Sequence, residues 1–245
     1  MGLKKEHELG KKYHIVAFAT HAGDMEGVAG GVIAKHVKVG HKATIVNFML
    51  GEKAPFATAA GLSAEEYAEE KRKESEEAAR VLGANVRFLP FKDAELPDTD
   101  DARYLICDLI RELKPDIIIC PGPKDVQKDH IITYRIVKDA IFWASLPGMK
   151  RKYPAHSIKN LYFAEGLATK NFSPNVYIDI TDVFDIWVES LMKFRYIRDE
   201  KFGGFPRLDY YKTLARLRGI ESGFKYAQAF ETDLILKLQF FPINE

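Results

Sequence analysis

Four short apolar runs punctuate the first half of the chain, at residues 13–19 (YHIVAFA), 43–50 (ATIVNFML), 85–91 (NVRFLPF) and 116–120 (DIIIC). Rich in β-branched and aromatic residues, they read as strands, and helical-period segments separate them. Residues 28–39 (VAGGVIAKHVKV) predict a helix that stops at Gly40. A charged helix over 64–82 opens on Ser63 and Glu66, spaced as in a capping box, and ends at Gly83. Residues 100–113 predict another helix, and a further one runs from the loop PGPKDVQKDH to about residue 144. Pro90 marks the end of the third strand or an edge. The unbroken apolar run 116–120 predicts a strand buried on both faces. Strands alternating with helices in this way predict βαβ units with right-handed crossovers. The expected class is α/β, a Rossmann-like, largely parallel sheet with helices on both faces.

The last third is less regular. Residues 161–165 and 175–180 predict strands, 182–198 and 207–218 helices, and 234–240 (LILKLQF) a final strand. No Pro-, Gly- or Ser-rich linker and no repeat divides the chain, so residues 1–245 are read as a single domain. The 36 Lys and Arg are balanced by 35 Asp and Glu, which leaves no excess base to neutralise phosphates. No nucleic-acid partner is expected. No apolar run reaches the ~18 residues of a membrane span. The first residues, MGLKKEHELGKKYH, lack the apolar core of a signal peptide. Cys107 and Cys120 are too few for a disulfide framework and read as small buried apolar residues. A cytoplasmic setting is expected. The aromatic-rich stretch KFRYIRDEKFGGFPRLDYY reads mainly as core and helix surface, with a homo-oligomer contact or a cover over the site as the alternatives.

In open α/β sheets ligands bind beyond the carboxyl ends of the strands, near the topological switch point. The loop after the first strand reads His21-Ala22-Gly23-Asp24, and the loop after the fourth ends in Asp129-His130. If those strands are neighbours, two imidazoles and one carboxylate converge. That donor set leaves one position open, the form of a catalytic zinc site. Zinc in such a site acidifies a water and polarises a carbonyl. Zinc or another divalent ion is therefore the expected cofactor. The plainer alternatives are a polar loop residue at His21 and a helix N-cap at Asp24. His7, His14, His36, His41 and His156 read as solvated or structural. The segment GDMEGVAGG does not spell a dinucleotide fingerprint, and no phosphate-loop lysine follows it.

The segment AFATHAGDMEGVAGGVIAKHVKVGHKATIVNFMLGEKA resembles the opening of the LmbE-like (PIG-L) family of zinc-dependent de-N-acetylases, which remove acyl groups from the amide nitrogen of amino sugars. Further similarity lies in KRKESEEAARVLG, FLPFKDAEL, KPDIIICPGPKDVQKDH and RGIESGFKYAQAF, so it covers nearly the whole chain. The resemblance implies a metal on His21, Asp24 and His130. It also implies substrate contacts from Arg72, Asp93 and Glu52, with an N-acylated sugar or glycoconjugate as substrate. A surface ion pair between Arg72 and Glu76, and a turn role for Asp93, are the alternatives.

Three positions depart from the family pattern. The first Asp of the family's Asp-Asp pair, its general base, is Gly23 here. The His three residues before the second histidine ligand is Gln127, which can donate to an oxyanion but cannot titrate. The Glu of the last motif is Gln228. Glu26, Asp125 and Asp129 are the candidate replacement carboxylates. Asp129 also fits an orienting role beside His130, and Glu26 a place at a helix N-terminus. The expected activity is hydrolysis of an acyl amide, with a nonhydrolytic metal- and sugar-binding protein as the alternative. If the base is simply missing, Gly23→Asp should raise the rate by up to ~10²–10⁴.

Overall fold

The computed structural model describes residues 12–199, 202 and 204–233. The expected strand over 234–240 and His7 lie outside the described residues. β1 (His14–His21) leads through α1 (Asp24–Lys38) into β2 (Lys42–Met49). The short α2 (Pro55–Ala59) and the long α3 (Ala64–Leu82) precede β3 (Asn85–Phe88). α4 (Asp100–Leu113), β4 (Ile117–Pro121), α5 (Lys128–Ala144) and β5 (Asn160–Ala164) follow. After β6 (Val176–Asp179) come a 3-10 turn (Thr181–Val183), α6 (Phe184–Leu191), α7 (Arg195–Arg198), α8 (Arg207–Ser222) and β7 (Ala227–Glu231).

The seven strands form one sheet in the order β3-β2-β1-β4-β5-β7-β6. β3 through β5 are parallel, and β7 runs antiparallel to both its neighbours. The chain is therefore an α/β fold with a mostly parallel sheet. Side chains alternate across β1 as strand geometry requires. Ile15, Ala17 and Ala19 join a core with α1, α3, α6 and α8, while Val16 and Phe18 join a second core with α4 and α5. The order places β1 and β4 side by side, with α1 and α5 leaving their carboxyl ends on opposite faces. That is the switch-point crevice.

Local chemistry fixes the elements that frame it. The hydroxyl of Ser63 accepts from the Glu66 N–H at 3.1 Å, and the Glu66 carboxylate accepts from the Ser63 N–H at 2.8 Å. Gly83, at φ 71°, ends the same helix. Ser63→Ala should cost about 1 kcal/mol, read as a lower melting temperature with unchanged ligand-site properties. At the far end of α5, the buried Arg111 guanidinium donates to the carbonyls of Trp143, Ala144, Leu146, Met149 and Tyr153. Trp143 and Ala144 belong to the last turn of α5 and the other three acceptors to the segment after it, so Arg111 ties that helix end and its exit loop to α4.

The structure corrects several sequence expectations. β1 runs on to His21, and α1 starts at Asp24 rather than at residue 28, with Gly23 at the N-cap position. β3 is shorter than 85–91: Leu89 still donates to Asn47, but Pro90 has no N–H with which to continue. The single helix expected over 182–198 is broken into three pieces. Phe194 adopts an extended backbone, at φ −81° and ψ 118°, with its ring fully buried. The Arg195 N–H then donates to the Glu74 carboxylate at 2.9 Å, so tertiary contacts override the helical period. β7 was not expected from its composition. Its Gln228 accepts from Val32 N–H and donates to the Gly27 carbonyl, bracing α1. At Gly30 and Gly31 an added Cβ would press on Trp187 and Ile180, so both glycines serve close packing.

Candidate metal centre and its cavity

The tight turn after β1 folds Asp24 back on its own strand end, where its carboxylate accepts from the His21 N–H at 2.8 Å. His130, the third residue of α5, arrives from the neighbouring strand's loop. Three donor atoms then face one another. His21 Nδ1 lies 3.3 Å from His130 Nε2, Asp24 Oδ2 lies 3.4 Å from His21 Nδ1, and the same oxygen lies 3.5 Å from His130 Nε2. Zinc–nitrogen and zinc–oxygen bonds of about 2.0–2.1 Å in a tetrahedron imply ligand–ligand edges of ~3.3 Å. The triangle therefore has the dimensions of one tetrahedral face.

Each imidazole is oriented by a carboxylate on its other nitrogen. Asp125 Oδ2 faces His130 Nδ1 at 3.0 Å, and Asp93 Oδ1 faces His21 Nε2 at 3.1 Å. Asp125 is itself fixed, because its other oxygen accepts from Gln127 N–H. Asp93 accepts from Lys53 N–H, and its own N–H donates to the Glu52 carboxylate. Burial alone would depress the His21 pKa, but Asp24 and Asp93 outweigh it and push the value up to about 10. Burial likewise raises Asp24, yet the two histidines win and hold its carboxyl below the usual range. The group thus favours positive charge at its centre, which a divalent cation would supply in place of protons. Donor chemistry, spacing and charge all fit a metal ion.

These residues lie at one wall of a cavity of about 470 Å³. Lys53, Lys71 and Arg207 bring cationic groups to its lining, and Phe56, Tyr67, Tyr196 and Tyr211 bring aromatic ones. Lys71 is almost fully buried beside Glu74, with its ammonium 4.8 Å from the Tyr67 ring and 4.7 Å from that of Tyr196. Burial pushes its pKa down.

Several sequence-selected residues take other places. Arg72 does not line the cavity: its guanidinium lies 4.3 Å over the Phe88 ring and 3.9 Å from Glu69, not Glu76. Adjacent helix positions differ by about 100°, so Lys71 faces inward and Arg72 outward. Glu52 also lies outside the lining and supports the Asp93 loop instead. Glu26 is fully buried and is not among the residues that line the cavity. Neither of its carboxylate oxygens has a hydrogen-bond partner among the described residues, and burial pushes its pKa up to about 7. Asp129 is buried near His21 and Asp93, so the orienting role beside His130 belongs to Asp125. Gln127 does line the cavity, on the exposed side. Sequence reading missed Lys71 and singled out none of Tyr196, Arg207 and Tyr211, which lie in the aromatic-rich stretch 193–211 that was read mainly as core and helix surface; their place in the lining favours its alternative, a cover over the site. Both cysteines are free and buried, as expected. No helix among the described residues is long and apolar enough to cross a membrane.

Comparison with known proteins gives consistent matches. Residues 16–141, just over half of the 245-residue chain, match the family model described as GlcNAc-PI de-N-acetylase, PIG-L. The chain is 27% identical over 229 residues to a diacetylchitobiose deacetylase of Thermococcus kodakarensis, covering 87% of this chain and 80% of that protein. It is 24% identical over 211 residues to a 4-oxalmesaconate hydratase of Pseudomonas putida KT2440, covering 83% and 79% respectively. Among solved structures, a 4-carboxy-2-hydroxymuconate hydratase from Pseudomonas putida KT2440 superposes with a TM-score of 0.83 at 20% identity, over 94% of this chain and 100% of that one.

Proposed function

The chain belongs to the PIG-L family of GlcNAc-PI de-N-acetylases, and on that premise we propose that it is a metal-dependent hydrolase that removes an acyl group, acetyl above all, from the amide nitrogen of an amino-sugar-type substrate. The observation that carries this reading is the triangle of His21, Asp24 and His130 at the wall of a polar and aromatic cavity. These three side chains would hold the ion, with zinc the best fit to two nitrogens and one oxygen. A divalent ion there supplies Lewis acidity toward a carbonyl and makes a water acidic. Asp93 and Asp125 hold the two imidazoles in the required tautomer and orientation. The Gln127 amide, at the cavity side, donates to a substrate oxygen. The rings of Phe56, Tyr67 and Tyr211 form apolar walls for a sugar face, and the cavity volume suits a small saccharide. Reading the whole chain as one domain of this kind is part of the same proposal.

The test is a deacylation screen over N-acetylated mono- and disaccharides, with metal content measured on the same preparation. Acetate release that stops on chelation and returns with zinc supports the reading. A metal-loaded protein that releases no acetate from any of them overturns it.

A second reading is addition of water to an unsaturated carboxylic acid. Two observations favour it: position 23 carries no carboxylate, and one relative is a hydratase. Loss of the enone-type absorbance of an unsaturated dicarboxylate, dependent on the same metal, would select it. Binding of N-acetyl sugars without either reaction would select a nonhydrolytic protein.

Asp125→Ala offers a check on the orienting carboxylates. It should leave stoichiometric metal at saturation but weaken the affinity ~10–100-fold, measured by competition with a chromophoric chelator. Unchanged affinity would remove Asp125 from the proposed centre.

A further inference from the structure

The position left bare by Gly23 is filled by a different residue. A Cβ built on Gly23 would lie 2.1 Å from the Tyr196 hydroxyl oxygen and 3.1 Å from its Cζ. Gly23 adopts φ 99°, a left-handed backbone that brings the turn close under that hydroxyl. Tyr196 comes from α7, on the opposite side of the site in the chain, and its side chain lines the cavity with His21 and Asp24. We propose that Tyr196 is a catalytic residue, its phenol hydroxyl being the hydrogen-bond donor to the substrate oxygen on which negative charge develops. This rests on the proposed addition of water at the metal centre, but it holds for an amide carbonyl and for a conjugated acid alike.

The hydroxyl is free to serve. Its hydrogen bond goes to the Ala22 carbonyl at 3.3 Å, a long contact that a charged oxygen would outcompete. The ring, by contrast, is clamped. It stacks on Phe56 with centroids 5.6 Å apart at 15°, meets Phe194 edge-on at 5.8 Å, and carries the Lys71 ammonium at 4.7 Å and the Arg207 guanidinium at 5.4 Å. A donor fixed before the reaction pays no reorganisation during it, the condition for electrostatic stabilisation of an oxyanion. An ordinary phenol, with a pKa of about 10, is protonated at neutral pH and can donate, and burial acts in the same direction. It is therefore no substitute base for the carboxylate absent at position 23. It takes the same place with the opposite hydrogen-bonding sense.

Tyr196→Phe tests this, because it keeps the ring and its clamp and removes only the hydroxyl. Zinc-loaded wild type and variant are titrated calorimetrically with acetohydroxamate, a metal-seeking oxyanion probe, with zinc content and melting temperature recorded on both. The expected result is ~10–100-fold weaker probe binding with zinc content unchanged. On any substrate that the wild type turns over, kcat should fall ~10²–10³-fold with little change in KM. The probe arm does not depend on the substrate, so absence of deacetylation leaves the Tyr196 assignment testable. Equal probe affinity in the two proteins overturns it, as does loss of zinc from the variant, which would make Tyr196 a structural support. Protein carrying 3-fluorotyrosine in place of Tyr196 provides the second measurement. A more acidic hydroxyl on the same scaffold should bind the probe more tightly, and weaker binding there counts against the donor role.

Discussion

His130→Ala should yield a folded protein that carries no tightly bound metal. Wild type purified without chelator is expected to hold about one divalent ion per chain. Removing His130 leaves His21 Nδ1 and Asp24 Oδ2 as the remaining members of the triangle, so the tetrahedral face is lost. Loss of an orienting carboxylate alone costs ~10–100-fold in affinity, and loss of a direct ligand should exceed ~10². The fold should survive because α5 is anchored by Ile132, Ile136, Val137 and Ala140 in the core and by Arg111 at its far end. The Asp125 carboxylate would lose its imidazole partner while buried, and that sets the price in stability at about 1–3 kcal/mol. Elemental analysis and a melting curve on the same sample separate the two effects. Stoichiometric metal in a folded His130→Ala protein would place the ion elsewhere and remove the basis of the proposed chemistry.

The candidate metal group was legible because each of its parts is a local signal that the topology then assembles. His21 and Asp24 follow a strand, His130 opens a helix after another strand, and the sheet order puts those two strand ends together. Side-chain direction within a helix was harder to read. Lys71 and Arg72 are neighbours in sequence, and only the packing of α3 against α6 and α7 decides which faces the cavity. Asp125 and Asp129 are both close to His130 in sequence, and the turn that Asp125 makes with Gln127 N–H selects it as the imidazole's partner. Tyr196 lay in a stretch for which a cover over the site was one alternative, but its own place could not be read, for a stronger reason. The apolar spacing through 184–198 fits one continuous helix, and the break that delivers Tyr196 to the site is made by burial of Phe194 and by the Glu74 contact from α3. β7 contains no β-branched residue, so nothing in its local pattern announced a strand.

Gly23→Asp, which the sequence alone nominates as a gain of function, should instead destabilise the protein and fail to accelerate it. Any side chain at this position must accept φ 99°, at a cost of about 1–3 kcal/mol. Its Cβ must also share space with the Tyr196 hydroxyl at 2.1 Å, and the ring has little room to retreat between Phe56, Phe194 and Arg207. Forcing that ring aside adds an overpacking cost of about 1–3 kcal/mol. Together these predict a loss of roughly 2–6 kcal/mol, a melting temperature lower by about 5–20 °C in a domain of this size. Gly23→Ala carries the same Cβ and should lose a similar amount, which shows that the effect comes from space and backbone rather than charge. Combining Gly23→Ala with Tyr196→Ala relieves the overlap but not the backbone strain, so the double variant should be more stable than the sum of the two losses by about 1 kcal/mol or more. Thermal melts of the four proteins measure that coupling directly. A Gly23→Asp protein that melts with the wild type and reacts faster would mean that Tyr196 yields its place easily, and that the site lacks a base rather than having exchanged it for a donor.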